Sequence, residues 1–313
     1  MTRFLIRRTL QAVAVLFGVS VIVFTLFHML PGGPARAVIG PRATPVAIRQ
    51  FELQYGLLNP LPVQYWDWLV QVLRGNLGYS YKLDQSVDSL IGEALPRTLV
   101  LAGVATALAL VLAIPIGIWQ AARRNRADDY VLTTVTFVFY SMPTFLMGVI
   151  LIVLFSSMLP LFPSTGPTGA VPLTSQLNRL VLPIATLTLV TIGLFSRYMR
   201  SSAVDSLLQD YIRTARAKGN STFEVLRHHV FRNSLLPLIT LVGLSLPGIV
   251  AGAVVTESLF NYPGMGYLFW NAAQTDDFPV LIGSSMVIGV AVVIGSLVAD
   301  ILYAIADPRV RRA

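Results

Sequence analysis

Seven basic side chains crowd into the 25 residues "RTARAKGNSTFEVLRHHVFRNSLLP": Arg213, Arg216, Lys218, Arg227, His228, His229 and Arg232. Few kinds of chemistry fit them. A phosphate-binding loop needs G-x-x-x-x-G-K-[ST], with its lysine reaching the phosphates. The only lysines, Lys82 and Lys218, stand in no such context, so ATP is not hydrolysed on this chain. His228 and His229 are neighbours and point different ways on a helix, unlike the paired histidines of H-E-x-x-H. With no cysteine there is no thiol nucleophile, thiolate metal site or disulfide framework. No G-x-S-x-G occurs, and the later apolar runs hold no histidine to serve as a base. What remains for the cluster is a docking element or a plain solvated loop.

The cluster also carries the marks of a folded element. The sequence predicts a helix from Asp205 to Lys218, closed by Gly219 at the position where a left-handed residue satisfies the last carbonyls. Ser221-Thr222-Phe223-Glu224 reads as a capping box, opening a second helix from Thr222 to about Ser234 with Phe223, Leu226 and Val230 on one face. Ala215 and Ala217 are small enough to seat the first helix in a groove on another protein. Composition alone would make the stretch a solvated basic loop. A mere spacer needs neither a capping box nor paired helices, which favours a docking element hinged at Gly219-Asn220.

The surrounding chain is apolar: 55% of its 313 residues are hydrophobic and 12% charged, about half the charged share of an ordinary soluble domain. Six apolar runs, at roughly 9–30, 98–121, 130–159, 180–196, 235–256 and 281–299, approach the roughly 20 residues that span a bilayer. The expected fold is therefore an all-α integral membrane bundle of six spans. Pro115, Pro143 and Pro247 are tolerable inside such helices. Sixteen of the 23 Lys and Arg fall in segments that are cytoplasmic if the N-terminus is inside, among them Arg7, Arg8, Arg123, Arg124, Arg197 and Arg309. Both termini are thus placed in the cytoplasm, and the net charge of +8 reflects this bias rather than nucleic-acid binding. The first run is longer than a signal-peptide core, so a retained helix is expected despite Ala35-Arg36-Ala37.

Three regions follow: residues 1–30 with the first span, an external amphipathic segment at 31–96, and a five-span domain at 97–313 carrying the basic element at about 205–234. In the external segment, Thr44-Pro45 opens a helix that Gly56 closes, and Trp66, Leu69, Val70 and Leu73 form an amphipathic stripe. The segment is either a small subdomain lying on the membrane surface or over the bundle mouth, or a packing plug. Acidic and basic residues are missing from the interiors of the runs, which disfavours a proton relay. His28 reads as a packing residue. Thr106, Thr133, Thr134, Ser141, Thr186, Thr188, Thr191, Ser245, Thr256, Ser284 and Ser285 either line a wet path or hydrogen-bond between helices.

The residues around Gly219 resemble the coupling motif of ABC-importer permeases, E-A-A-x-x-x-G with a later I-x-L-P. Here Arg213, Thr214 and Ala215 stand at the E-A-A positions and Leu236-Pro237 lies farther on. Those departures resemble the peptide/nickel branch. "RFLIRRTLQAVAVLFGVSVIVFTLFHMLPGGPA", "LNPLPVQYWDWLVQVLRGNLGYSY", "ESLFNYPGMG", "DDFPVLIG" and "VADILYAIADPRVR" extend the resemblance along the chain, most of all to the B-type permeases of dipeptide and oligopeptide importers. The resemblance implies a type I importer bundle in a bacterial plasma membrane. Its partners would be a second homologous permease, two cytoplasmic ATPases that bind ATP and Mg, and an external substrate-binding protein, with no cofactor on this chain. It also implies that Asp210, Tyr211, Arg213, Thr214, Ala215, Arg216, Lys218, Gly219 and Asn220 meet an ATPase. Asn261, Tyr262, Pro263 and Gly264 form either an external gate or a simple Pro-Gly turn. Nickel, glutathione or haem would suit the same architecture, and a self-contained carrier or channel remains the rival of a different class.

Overall fold

A computed structural model describes residues 2–30, 32–40, 42–166 and 173–306. Arg309, Arg311 and Arg312, counted above as cytoplasmic, lie outside these residues, as do the side chains of Arg3, Leu236 and Ser245. The described chain is almost entirely helical: α1 (Thr2–His28), α2 (Gly33–Ile39), α3 (Pro45–Gln54), α4 (Leu61–Leu73), α5 (Val87–Ala122), α6 (Ala127–Ser141), α7 (Thr144–Ile152), α8 (Leu173–Leu207), α9 (Asp210–Ala217), α10 (Thr222–Glu224), α11 (Phe231–Leu259), α12 (Met265–Gln274) and α13 (Phe278–Ala306). Two π-helical turns, Val153–Met158 and Val225–Val230, continue α7 and join α10 to α11. A two-residue hairpin, β1 (Tyr79–Ser80) with β2 (Gln85–Ser86), was not foreseen in the helical external segment. Asp84 at φ 54 turns it.

Among the described residues, four helices are long and apolar enough to cross a membrane: Ile6–His28, Val87–Ala122, Thr174–Leu207 and Phe278–Val298. The run expected as one span at 130–159 is instead two helices bent by 105°. Pro143 causes the break. It lacks an N–H, and its ring holds Met142 extended at φ −81, ψ 127. The bent pair would make a fifth span. The run at 235–256 falls within the 29-residue α11, and the short run at 180–196 becomes the 35-residue α8, in which Pro183 causes no break.

The chain divides into two compact units. One comprises residues 1–98 and 263–294, with a core of Val87, Ile91, Ala94, Met265, Ala272 and Val280. Within it α4 packs on α1 through Tyr65 and Trp68: the hydroxyls of Ser20 and Tyr65 lie 2.7 Å apart and both rings meet Phe24. His28 is a packing residue, its ring nitrogens 2.9 Å from Phe24 O and 3.0 Å from Gln64 Oε1. The predicted stripe is split: Trp66 and Leu73 are 64% and 77% exposed, whereas Leu69 and Val70 are half-buried. An apolar stripe marks a face that avoids water, and lipid satisfies that as well as a core does. Buried Asp277 accepts a hydrogen bond from Ser80 and so ties the hairpin to the start of α13.

The other unit, residues 99–262 and 295–313, is organised around α8. Gly117 and Gly193 let α5 and α6 settle on it: a Cβ on Gly117 would stand 2.8 Å from Ser196 O, and one on Gly193 2.6 Å from Thr136 O. Ala109 and Ala113 of α5, Ile192, Phe195 and Met199 of α8, and Leu238 of α11 form a buried core between those three helices. Most hydroxyls on these helices bond their own backbone, as Thr106 does to Ala102 O and Thr186 to Leu182 O. Thr188 reaches across to Ala105 O, a helix-packing bond of the kind expected inside lipid.

Candidate functional site

At 1.5 Å per residue, α8 is roughly 50 Å long, well beyond the roughly 30 Å of a bilayer core. Part of it must therefore overhang an apolar layer of that thickness, and its charged C-terminal turns, with Arg200 and Asp205, lead into the basic element. α8 runs on through Asp205 to Leu207, so the helix predicted to begin at Asp205 starts only at Asp210. Gln209 is extended between the two (φ −76, ψ 150). That reversal brings Ile212 and Ala215 back onto Ala203 of α8, Ala121 of α5, and Val225 and Val230.

The two local signals read from sequence are both present. Lys218 caps α9 and Gly219 follows at φ +87. The N–H of Gly219 bonds Arg216 O at 3.0 Å, and that of Asn220 bonds Ala215 O at 3.2 Å, the paired bonds of a Schellman motif. The Ser221 N–H donates to Glu224 Oε2 at 2.7 Å, and the Glu224 N–H returns to Ser221 Oγ at 3.3 Å. The bonds that Ser221 gives hold the Glu224 carboxyl below its usual range. Beyond the box the helix does not stop near Ser234; it continues as α11 to Leu259, for no glycine or proline interrupts residues 225–235.

The placement of side chains sorts the candidate docking residues. Asp210, Arg213, Thr214, Arg216, Lys218, Gly219 and Asn220 are exposed, as is Ala217. Ala215 is 5% exposed and lies in the internal core, so it seats α9 on its own chain rather than on another protein. Tyr211 is a latch: its hydroxyl lies 2.7 Å from Ser206 Oγ of α8 and accepts from Asn233 Nδ2 of α11 at 3.2 Å. Phe223, expected on the packed face with Leu226 and Val230, is 69% exposed, and Val225 is buried in its place. The wider π turn at Val225–Val230 shifts the register by one position and turns Phe223 outward. The outcome is a knob whose inner face is aliphatic and whose outer face combines cations with one bare aromatic ring.

The stretch from Asn261 to Gly264 also follows a Schellman cap. Asn261 (φ 48) is its left-handed residue, and the Tyr262 N–H bonds Glu257 O at 2.8 Å. Tyr262 packs on Leu101, Ala105 and Leu187. Gly166 donates to Phe260 O, and a Cβ on it would stand 3.0 Å from the Tyr262 Cα. In the first unit, Arg97 Nη1 donates to Pro263 O, and Gly264 precedes α12.

One arrangement escaped sequence reasoning. Asp129 at the start of α6 is buried and takes a two-point ion pair from Arg200 of α8, Nε to Oδ1 at 2.9 Å and Nη2 to Oδ2 at 2.8 Å. The Asn125 N–H and Thr133 Oγ1 complete its shell. Beside the pair opens a cavity of about 360 Å³ lined by Gln120, Arg124, Thr133, Tyr140, Arg197 and Asp205 among others. Two acids opening a helix was the only linear signal. Nothing in the sequence announces a partner 71 positions away.

Comparison with known proteins agrees with this architecture. Residues 113–312 match the model described as binding-protein-dependent transport system inner membrane component, and residues 1–102 match its N-terminal companion. The chain belongs to this family of transport-system membrane components. A putative peptide permease protein of Brucella ovis is 39% identical over 320 residues, covering 99% of both chains. The oligopeptide transport system permease protein AppB of Bacillus subtilis is likewise 39% identical, over 314 residues and 99% of both. Among solved structures, a chain of the inward-facing MetNI methionine ABC transporter aligns with a TM-score of 0.57 at 16% identity, over 70% of this chain and 96% of that one. That likeness speaks for the ABC-importer permease fold.

Proposed function

We propose that this chain is the permease subunit of an ATP-driven importer of short peptides. It forms six spans with both termini cytoplasmic in a bacterial plasma membrane, and residues 31–96 lie outside. A second, related permease completes the path; two cytoplasmic ATPases supply ATP and Mg chemistry, and an external binding protein delivers cargo. Whole-length likeness to chains named as peptide permeases supports the cargo class.

The observation that carries the coupling role is the knob. α9 and the capping box are held from within by Ile212, Ala215, Val225 and Val230, which leaves Arg213, Thr214, Arg216, Lys218 and Phe223 exposed. A rigid handle of this kind transmits force in a way a loose basic loop does not. Tyr211 and Ala215 act in the proposal as its internal braces, and Asn261 to Gly264 as the outer end of the path.

Reconstitution tests the reading. The chain with its partner subunits should show ATPase activity stimulated by the binding protein loaded with a dipeptide or oligopeptide. Gly219→Leu should insert in the membrane but lose ATPase association and transport. Unaltered coupling in that variant would sink the docking assignment. Stimulation by nickel, glutathione or haem alone would replace the cargo, and transport by the isolated chain would favour a carrier.

A further inference from the structure

The cavity between α5, α6 and α8 is a built site that coupling does not use. Arg200 is neutralised by Asp129, but Arg124 and Arg197 have no ion pair among the described residues, and Arg197 rests over the Tyr140 ring at 5.6 Å. Asp205 is the one carboxylate among the lining residues, which leaves the lining cationic. Gln120, 1% exposed, supplies a second feature. Its Nε2 faces the hydroxyls of Thr133 and Thr136 at 3.5 Å. Those hydroxyls donate elsewhere, to Asp129 Oδ1 and Leu132 O, which fixes the amide orientation. Gln120 Oε1 is then a buried acceptor without a donor among the described residues, an expensive state unless something fills it.

The walls beside the cavity narrow the ligand. Tyr130, Val131, Phe137 and Val138 are all exposed on α6, so an apolar surface leads directly to two unpaired guanidiniums near the end of a candidate span. A small hydrophilic anion would have no use for that surface. An amphiphile would use both parts. We propose that this cavity holds the headgroup of an anionic glycerophospholipid. The phosphodiester sits against Arg124 and Arg197, a headgroup hydroxyl donates to Gln120 Oε1, and the acyl chains lie along α6. Basic pockets between spans at the cytoplasmic face suit such headgroups. The site rests on the reading that this chain spans a bilayer with the 120–130 end at its cytoplasmic surface.

The test needs neither ATPase nor transport, so it stands apart from the peptide assignment. The full chain is taken into nanodiscs of phosphatidylcholine doped with phosphatidylglycerol, then released into detergent, and retained lipid is measured by native mass spectrometry. Phosphatidylglycerol should be retained in preference to phosphatidylcholine. Arg124→Gln with Arg197→Gln should weaken retention by roughly thirtyfold, at about a factor of five per arginine. Arg126→Gln with Arg227→Gln removes the same charge outside the cavity and should change little. In nanodiscs doped equally with phosphatidylglycerol and with phosphatidic acid, which lacks the headgroup hydroxyl, Gln120→Leu should reduce the preference for phosphatidylglycerol. Equal retention of phosphatidylcholine, an equal loss in the two double variants, or displacement of the lipid by a peptide would each overturn the assignment.

Discussion

The ends of α9 and α11 use one backbone device for opposite purposes. Each closes with a Schellman pair around a left-handed residue, Gly219 at φ 87 and Asn261 at φ 48. After Gly219 comes exposed Asn220, and a Cβ on the glycine would meet nothing within 4 Å. After Asn261 comes Tyr262, 4% exposed and packed into a core. The hydrogen bonds are the same; the residue that follows decides the role. A polar follower leaves the turn standing out in water, where another protein can reach it. An aromatic follower pins the turn inside, where it holds the segment around Gly166.

The contrast can be broken from its buried side first. Tyr262→Ala should cost about 3 kcal/mol, read as lowered thermal stability in detergent, because the cavity left among Leu101, Ala105 and Leu187 has nothing to fill it. Gly219 should respond through its backbone alone. Gly219→Ala and Gly219→Leu should each cost roughly 1–2 kcal/mol, since the left-handed φ strains either residue and a Cβ there meets nothing within 4 Å. A leucine much worse than alanine would mean an unseen clash. Asn261→Gly should stay within about 0.5 kcal/mol of the parent, because asparagine already tolerates the left-handed region.

The smallest effect concerns pH. Glu224 is held below its usual value of 4.5 by the bonds Ser221 gives it. A depressed carboxyl contributes stability above its unfolded value and loses it as pH falls through the folded one. Hydrogen exchange at the start of α10 should therefore quicken as pH drops below about 4.5 once corrected for intrinsic rates, and Glu224→Gln should abolish that dependence.

The two caps also show what the sequence made legible. Gly219 and the capping box were readable because each signal lies within a few residues of the bond it makes. The register after the box was not: no residue type announces the π turn at Val225–Val230, so Phe223 was assigned to the wrong face. The burial of Ala215 was equally hidden, because a sequence shows a small residue without showing what it faces. Pairs made over long separations, Asp129 with Arg200 and Ser80 with Asp277, had no local signature. The stripe of Trp66 and Leu73 was detected, yet its direction depended on whether lipid or protein served as the apolar phase.

In the proposed coupling, the ATPase docks at the exposed cap. A photocrosslinking amino acid placed at Phe223, beside the Gly219 cap, and separately at Tyr262 tests this in the assembled complex. The account predicts a crosslink from position 223 to the ATPase subunit, lost with Gly219→Leu, and none from position 262. No crosslink from position 223 in a complex that still hydrolyses ATP and transports would contradict it.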